Sequence, residues 1–300
     1  MSWGVLVDTT LCTGCRGCQV ACKSENGKQA VNTEFFAGPG GYQNPARLSS
    51  DTYSLVTFHE VENGTGDLDW VFARRQCMHC LDPACASACL VGAITSDPNG
   101  VVSYDESRCI GCRYCQLVCP FAVPSLEWAK AVALIRKCGF CASRIEHAEV
   151  PDVLNEGHST EDVLDEDKKA RHLAAQKVPA CVSTCPTGAL EFGDRDELLE
   201  EARSRIAGSP DRYVPHIYGE TEAGGTAWLY LSAVPFSELG FPTNISERAY
   251  PSYTSAALGV VAPQILGVGA LLGGFYWYTQ RRERIAEMES ADAEEGSTTP

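Results

Sequence analysis

From Ala249 to Gln280 the chain carries no formal charge. Within this stretch Ser255 to Tyr278 (SAALGVVAPQILGVGALLGGFYWY) supplies 24 residues, enough for a helix to cross the roughly 30 Å hydrocarbon core of a bilayer. Phe275, Tyr276, Trp277 and Tyr278 make an aromatic belt at its end, and Arg281, Arg282 and Arg284 follow at once. Pro263 is tolerable in a membrane helix, and Gly269 and Gly273 fit a small-xxx-small packing face. The alternative is a buried core helix. A nucleotide loop at Gly267 and Gly269 fails because no strand precedes it. Elsewhere the alternation of Thr52 to Val61 (TYSLVTFHEV) predicts a strand, with Trp70 to Phe72 returning as its partner across Asn63-Gly64. Asp196 to Ala207 predicts a helix with Leu198, Leu199, Ala202 and Ile206 on one face. Gly38 to Gly41, with Pro39, reads as loop. Glu146 to Asp167 carries nine carboxylates, a solvated surface insertion or a docking arm for a partner.

The 300 residues are 44% hydrophobic and 21% charged, which excludes wholesale disorder and allows one large domain or two ordinary ones. A formal net charge of -15 excludes a nucleic-acid partner, since phosphates would be repelled. The outlier is cysteine: 16 residues in four sets of four, with none left over. Cys12, Cys15, Cys18 and Cys22 are spaced C-x2-C-x2-C-x3-C. Cys77, Cys80, Cys85 and Cys89 follow C-x2-C-x4-C-x3-C. Cys109, Cys112, Cys115 and Cys119 repeat the first spacing, with Pro120 directly after. The fourth set is split into Cys138 and Cys141, then Cys181 and Cys185 followed by Pro186.

Disulfides would need no such register, and zinc sites rarely place a third cysteine two residues after a C-x2-C pair. Buried free cysteines cannot explain the grouping. Four [4Fe–4S] clusters can: two-residue gaps wrap thiolates and backbone N–H groups around a soft anionic cluster, and the x3 gap aims the last thiolate at a neighbouring cluster. Sets two and three lie close enough to form a module alone, so sets one and four pair around it. The ligand exchange of the bacterial ferredoxin run then gives Cys12, Cys15, Cys18 and Cys185 for one cluster and Cys138, Cys141, Cys181 and Cys22 for its mate. The inner module takes Cys77, Cys80, Cys85 and Cys119, then Cys109, Cys112, Cys115 and Cys89. Sequential pairing of set one with set two is the alternative. The expected fold is α+β: two nested bacterial-ferredoxin-like 2[4Fe–4S] modules and one C-terminal transmembrane helix. Residues 1–50 and 129–195 form the outer module, with an acidic insertion at 146–170, and 51–128 form the inner one. A docking segment at 196–250, the membrane helix at 255–278 and a tail at 281–300 complete the expected order.

The stretches GVLVDTTLCTGC (Gly4 to Cys15), QCMHCLDP (Gln76 to Pro83) and CIGCRYC (Cys109 to Cys115), with Cys119-Pro120-Phe121, resemble the iron–sulfur subunits of membrane-bound respiratory oxidoreductases. Formate dehydrogenase beta subunits and the electron-transfer subunit of membrane uptake [NiFe] hydrogenase belong to that family. Tyr213 to Gly219, Gly224-Gly225-Thr226 and Val234-Pro235-Phe236 look more like the hydrogenase type. Coverage runs from about residue 4 to residue 284. The twin-arginine signal usual in the hydrogenase type is absent here, and the acidic insertion exceeds the family pattern. The resemblance implies four cubanes in a chain that carries electrons between a catalytic subunit and a quinone-reactive or cytochrome b membrane subunit. His79, Arg113, Arg136 and Lys137, beside ligands, are placed either to raise cluster potentials or to make ordinary surface contacts. No dinucleotide fingerprint, P-loop, triad or metal-spaced pair among His59, His79, His147, His158, His172 and His216 is present, so the chain is not catalytic alone. A freestanding polyferredoxin-type carrier is the alternative of another class. The arginines after the apolar run predict a cytoplasmic C-terminus and an exoplasmic cluster domain, exported with a partner that owns the signal.

Overall fold

The computed structural model describes residues 2–33, 42–62, 66–146 and 177–296. The Gly38 to Gly41 loop, the Asn63-Gly64 turn and the acidic run beyond Glu146 lie outside these residues.

Val5, Leu6 and Val7 offer no polar position, which suits a strand covered on both faces. They lie in β1 (Trp3–Asp8), the middle of a three-stranded sheet, antiparallel to β8 (Leu190–Asp194) and parallel to β9 (Trp228–Leu231). Val5 is paired with Phe192 on one side and Trp228 on the other. Successive side chains of a strand point to opposite faces, and here the two faces do different things. Leu6, Leu229 and Leu231 pack on Leu198, Leu199 and Ala202 of helix α6 (Arg195–Gly208). Val5, Val7, Leu190, Trp228 and Tyr230 face the other way, into a core that includes Cys22, Cys77, Cys138 and Cys181. Helix α6 starts one residue before the predicted helix. Asp194 caps it, accepting from the Asp196 N–H at 2.9 Å, while Asp196 and Glu197 lie near its positive end and Arg205 near its negative end.

The predicted hairpin is β2 (Leu55–Glu62) against β3 (Leu68–Arg75), with Phe58 opposite Phe72. It begins three residues later than its alternation suggests, because Ser49 and Thr52 exchange backbone hydrogen bonds in a separate turn. Short elements occupy the stretch from Ala84 to Arg136. Helix α2 (Ala84–Ser87) packs beside α3 (Tyr114–Val118). The ribbons β4 (Ile94–Ser96) with β5 (Val102–Tyr104) and β6 (Ser125–Leu126) with β7 (Ile135–Arg136) surround them. Ile94, Val102, Leu126 and Ile135 form their apolar core together with Cys85 and Cys115. Helix α1 (Gly17–Glu25) packs beside α5 (Ala180–Ser183), so the α1–α5 pair brackets the α2–α3 pair in sequence. Helix α4 (Ala142–Glu146) follows Cys141.

The described residues through Pro251 form one compact unit, and those from Ser252 a second. The second is helical: α7 (Tyr250–Gly296) runs through Pro263 without interruption. Its segment Tyr250–Glu289 is long and apolar enough to cross a membrane, with a mean hydropathy of 1.8 in its most apolar window. Leu258, Ile265, Leu266, Leu271, Leu272, Phe275 and Trp277 are all exposed along it. An unburied apolar helix of this length is matched to a lipid solvent, whereas a core helix would be covered by protein.

Candidate metal centres

Each C-x2-C pair folds by the same local rule. The residue just before the second cysteine is left-handed in all four sets: Gly14 (φ 65°), His79 (φ 48°), Gly111 (φ 67°) and Phe140 (φ 60°). That conformation swings its N–H back onto the sulfur of the first cysteine. Gly111 N donates to Cys109 Sγ at 3.5 Å and Phe140 N to Cys138 Sγ at 3.4 Å. Gly14 does the same at Cys12, and His79 at Cys77. Successive inward N–H groups of this kind make a nest for an anion. In sets one and three a second left-handed residue, Arg16 or Arg113, opens the helix that carries the later cysteines, so the repeated spacing is a repeated backbone.

Why two sets use glycine and two do not follows from the surroundings. A Cβ on Gly14 would lie 2.8 Å from the Phe72 ring, and one on Gly111 2.4 Å from the Ala133 carbonyl oxygen. His79 and Phe140 are fully buried between the sheet and the cysteine loops, where bulk is needed. Their rings meet edge to face at 4.8 Å, and Phe140 also meets Trp228 at 5.6 Å. A left-handed non-glycine residue costs on the order of 1–3 kcal/mol, of the same size as burying one aromatic ring returns.

The thiols gather in four groups. Cys12, Cys15, Cys18 and Cys185 line one space with Val7, Val56, Phe72 and Leu190. Cys89, Cys109, Cys112 and Cys115 line another with Ile94 and Ile135. Cys22 faces Cys138, Cys181 and Cys141. Cys80 faces Cys77, Cys119 and Cys85. Cys119 also receives the N–H groups of Phe121, Ala122 and Val123, the loop that Pro120 opens. Adjacent groups are near enough to influence one another in series: Cys181 acts on Cys18, Cys77 on Cys138, and Cys115 on Cys85. The two end groups reach the surface through Cys15 and Cys112, both exposed.

Burial is the first influence on these thiols, and neighbouring thiolates add to it. Cys18 and Cys115 are pushed up to about 11, Cys85 and Cys141 to about 12. Those four thiols would hold protons at neutral pH, and iron binding there would displace them. The donor set is all sulfur. Among the described residues no three His, Cys, Asp or Glu side chains converge closely enough to hold a single metal ion. The thiols instead stand around spaces with apolar walls and N–H donors aimed at sulfur. That arrangement fits a multinuclear iron–sulfur group and does not fit mononuclear zinc.

The charged neighbours divide. Arg136 is tied to Glu106 and, at 2.9 Å, to Glu127, an ordinary ion-pair network. Arg113 lies over the ring of exposed Trp128 at 5.0 Å. Burial, reinforced by the Lys137 charge, holds His79 well below the usual imidazole range, so it is neutral; its Nδ1 accepts from Val102 N at 3.0 Å. Lys137 is buried and donates to the carbonyls of Val102 and Cys138. Sequence reasoning missed Arg74, which is 3% exposed and lines the first space. The signal was available: Phe72 and Arg74, two apart on a strand, share a face.

Two family models, each described as a 4Fe-4S dicluster domain, match residues 11–93 and 68–160. A protein of Nitratidesulfovibrio vulgaris Hildenborough is 42% identical over 97% of this chain and 70% of its own length. The hydrogenase-2 operon protein HybA of Escherichia coli O157:H7 is 32% identical over 80% of this chain and 73% of its own. The iron–sulfur subunit of the nitrate-inducible formate dehydrogenase of Escherichia coli K12 is 35% identical over 75% of this chain and 66% of its own. With its sixteen cysteines, the chain belongs to the family of iron–sulfur electron-transfer subunits of respiratory oxidoreductases, which are not catalytic alone.

Proposed function

We propose that the chain conducts electrons through four [4Fe–4S] clusters between a catalytic subunit, a [NiFe] hydrogenase, and a quinone-reactive membrane subunit. The observation that carries this reading is the unbroken series of four thiol groups, from the one that reaches the surface at Cys15 to the one that does so at Cys112. The ligand sets are Cys12, Cys15, Cys18 and Cys185; Cys22, Cys138, Cys141 and Cys181; Cys77, Cys80, Cys85 and Cys119; and Cys89, Cys109, Cys112 and Cys115. The packing of α1 on α5 and of α2 on α3 supports this nested pairing over a sequential one. Each cluster supplies a one-electron couple. The protein's part is to hold it, to aim N–H groups at its sulfurs and to keep water out with apolar walls.

Both ends of the series carry exposed apolar side chains suited to partners. The Tyr42 and Trp70 rings meet at a tilt, centroids 5.0 Å apart, beside the first loop, and Arg16 lies over Phe58. Leu90, Ile110, Leu117 and Trp128 stand around the other. Exposed apolar residues in clusters of this kind mark protein–protein surfaces. The hydrogenase assignment is supported by the match to HybA, which spans 267 residues against 229 for the formate dehydrogenase subunit. The higher identity to the latter, 35% against 32%, favours a molybdenum or tungsten partner as the second reading. Arg281, Arg282 and Arg284 after the apolar run support a cytoplasmic C-terminus and an exoplasmic cluster domain.

Three outcomes are expected. The complex that co-purifies with this chain in mild detergent should contain nickel; molybdenum or tungsten in its place would move the partner to a formate dehydrogenase or a related pterin enzyme. Cys185→Ser should alter the paramagnetic signal of one cluster of the outer pair and leave the inner pair intact. Loss confined to an inner cluster would refute the ligand sets. The full chain should resist alkaline extraction from membranes and be cut by protease added outside spheroplasts; a chain that survives while exported proteins are cut has the opposite topology.

A further inference from the structure

Arg74 differs from the other buried or half-buried arginines. Arg195 is spent on the carbonyls of Thr226, Gly219 and Glu220, and Arg205 on Glu191 and Asp8. Arg74 Nε and Nη1 are buried and have no hydrogen-bond partner among the described residues. Its guanidinium lies over the Trp228 ring at 4.4 Å, which fixes its plane from one side. The side chains that act on it most are the sulfurs of Cys181 and Cys18, the Tyr230 hydroxyl and the Cys138 sulfur. The same guanidinium acts on Cys12 and Cys18 of the first group and on Cys22, Cys138 and Cys181 of the second.

A buried cation is tolerated where an anion of matching permanence stands beside it. Thiols that keep their protons do not provide one; thiolates bound to an anionic cluster do. We propose that Arg74 is the shared countercharge of the two outer clusters, raising the reduction potentials of both. This rests on the ligand sets proposed above. A fixed positive charge in a low-dielectric site favours the more negative, reduced form of any group beside it. Because one charge acts on both neighbours, it raises the two potentials together and leaves the step between them to be set by the rest of each site. The buried Lys137 ammonium, held by two carbonyls, acts on Cys77, Cys85 and Cys119 of the inner module and on Cys138, whereas Arg74 acts on both groups of the outer one.

The test is a potentiometric titration, read by electron paramagnetic resonance, of the intact complex carrying Arg74→Gln or Arg74→Lys, with iron per chain measured alongside. Arg74→Gln should keep its iron and shift the reduction equilibrium of two clusters at least tenfold toward the oxidised form, about 59 mV for one electron. The other two should stay within about threefold, and Arg74→Lys should hold all four within about the same margin. Unmoved potentials in Arg74→Gln, a shift of one cluster alone, or one spread over all four would overturn the inference. Should Arg74→Gln lose iron, Arg74→Lys decides: full iron with unshifted potentials upholds the charge, and loss or shift there too makes the residue a packing element on Trp228. Wild-type protein lacking the four cluster signals would instead defeat the ligand sets themselves.

Discussion

Sixteen thiols cannot be packed side by side in an apolar interior as free thiolates, since burial opposes ionisation and each neighbour's charge opposes it further. Everything else in the compact unit can be read as an answer to that constraint. Iron replaces the protons. The four left-handed residues Gly14, His79, Gly111 and Phe140 turn N–H dipoles onto sulfur, and Arg74 adds a full charge between two of the groups. The three-stranded sheet then gives this polar and charged assembly one apolar wall, built of Val5, Val7, Trp228 and Tyr230.

The sheet also explains why residues far past the last cysteine matter to the site. Tyr230 Oη donates to the Arg74 carbonyl at 2.9 Å and accepts from Gln76 Nε2 at 2.5 Å, tying β9 to the strand end that leads into Cys77. Trp228 supports Arg74 and Phe140. The stretch expected as a docking segment thus contributes an outer strand of the sheet, β9, and part of the wall behind the thiols. Its resemblance to one family branch at Tyr213 to Phe236 falls on residues that pack there: Tyr218 and Phe236 are both buried with Tyr230.

What could be read from sequence was whatever is local. Cysteine spacing, the alternation of β2, the apolar face of α6 and the uncharged run in α7 each reside within a few turns of chain, and period alone reveals them. What could not be read depends on distant partners. Trp228 to Leu231 shows no alternation because both its faces are covered, and only its pairing with β1, more than two hundred residues earlier, makes it a strand. Ser125–Leu126 and Ile135–Arg136 are too short to carry any period. Arg74 reads as one of two adjacent basic residues until the hairpin turns one side chain inward and the other, Arg75, outward to the Gly240 carbonyl. His79 was legible as a neighbour of ligands but not as a neutral one, since its burial between β5 and Phe140 is a property of the assembled core.

The central claim is that each of the four thiol groups holds one cubane. Iron and acid-labile sulfide per chain, measured on protein purified without air, test it most directly. About sixteen of each are expected, four per cluster at four clusters. Iron without sulfide, zinc in place of iron, or about eight of each would contradict it.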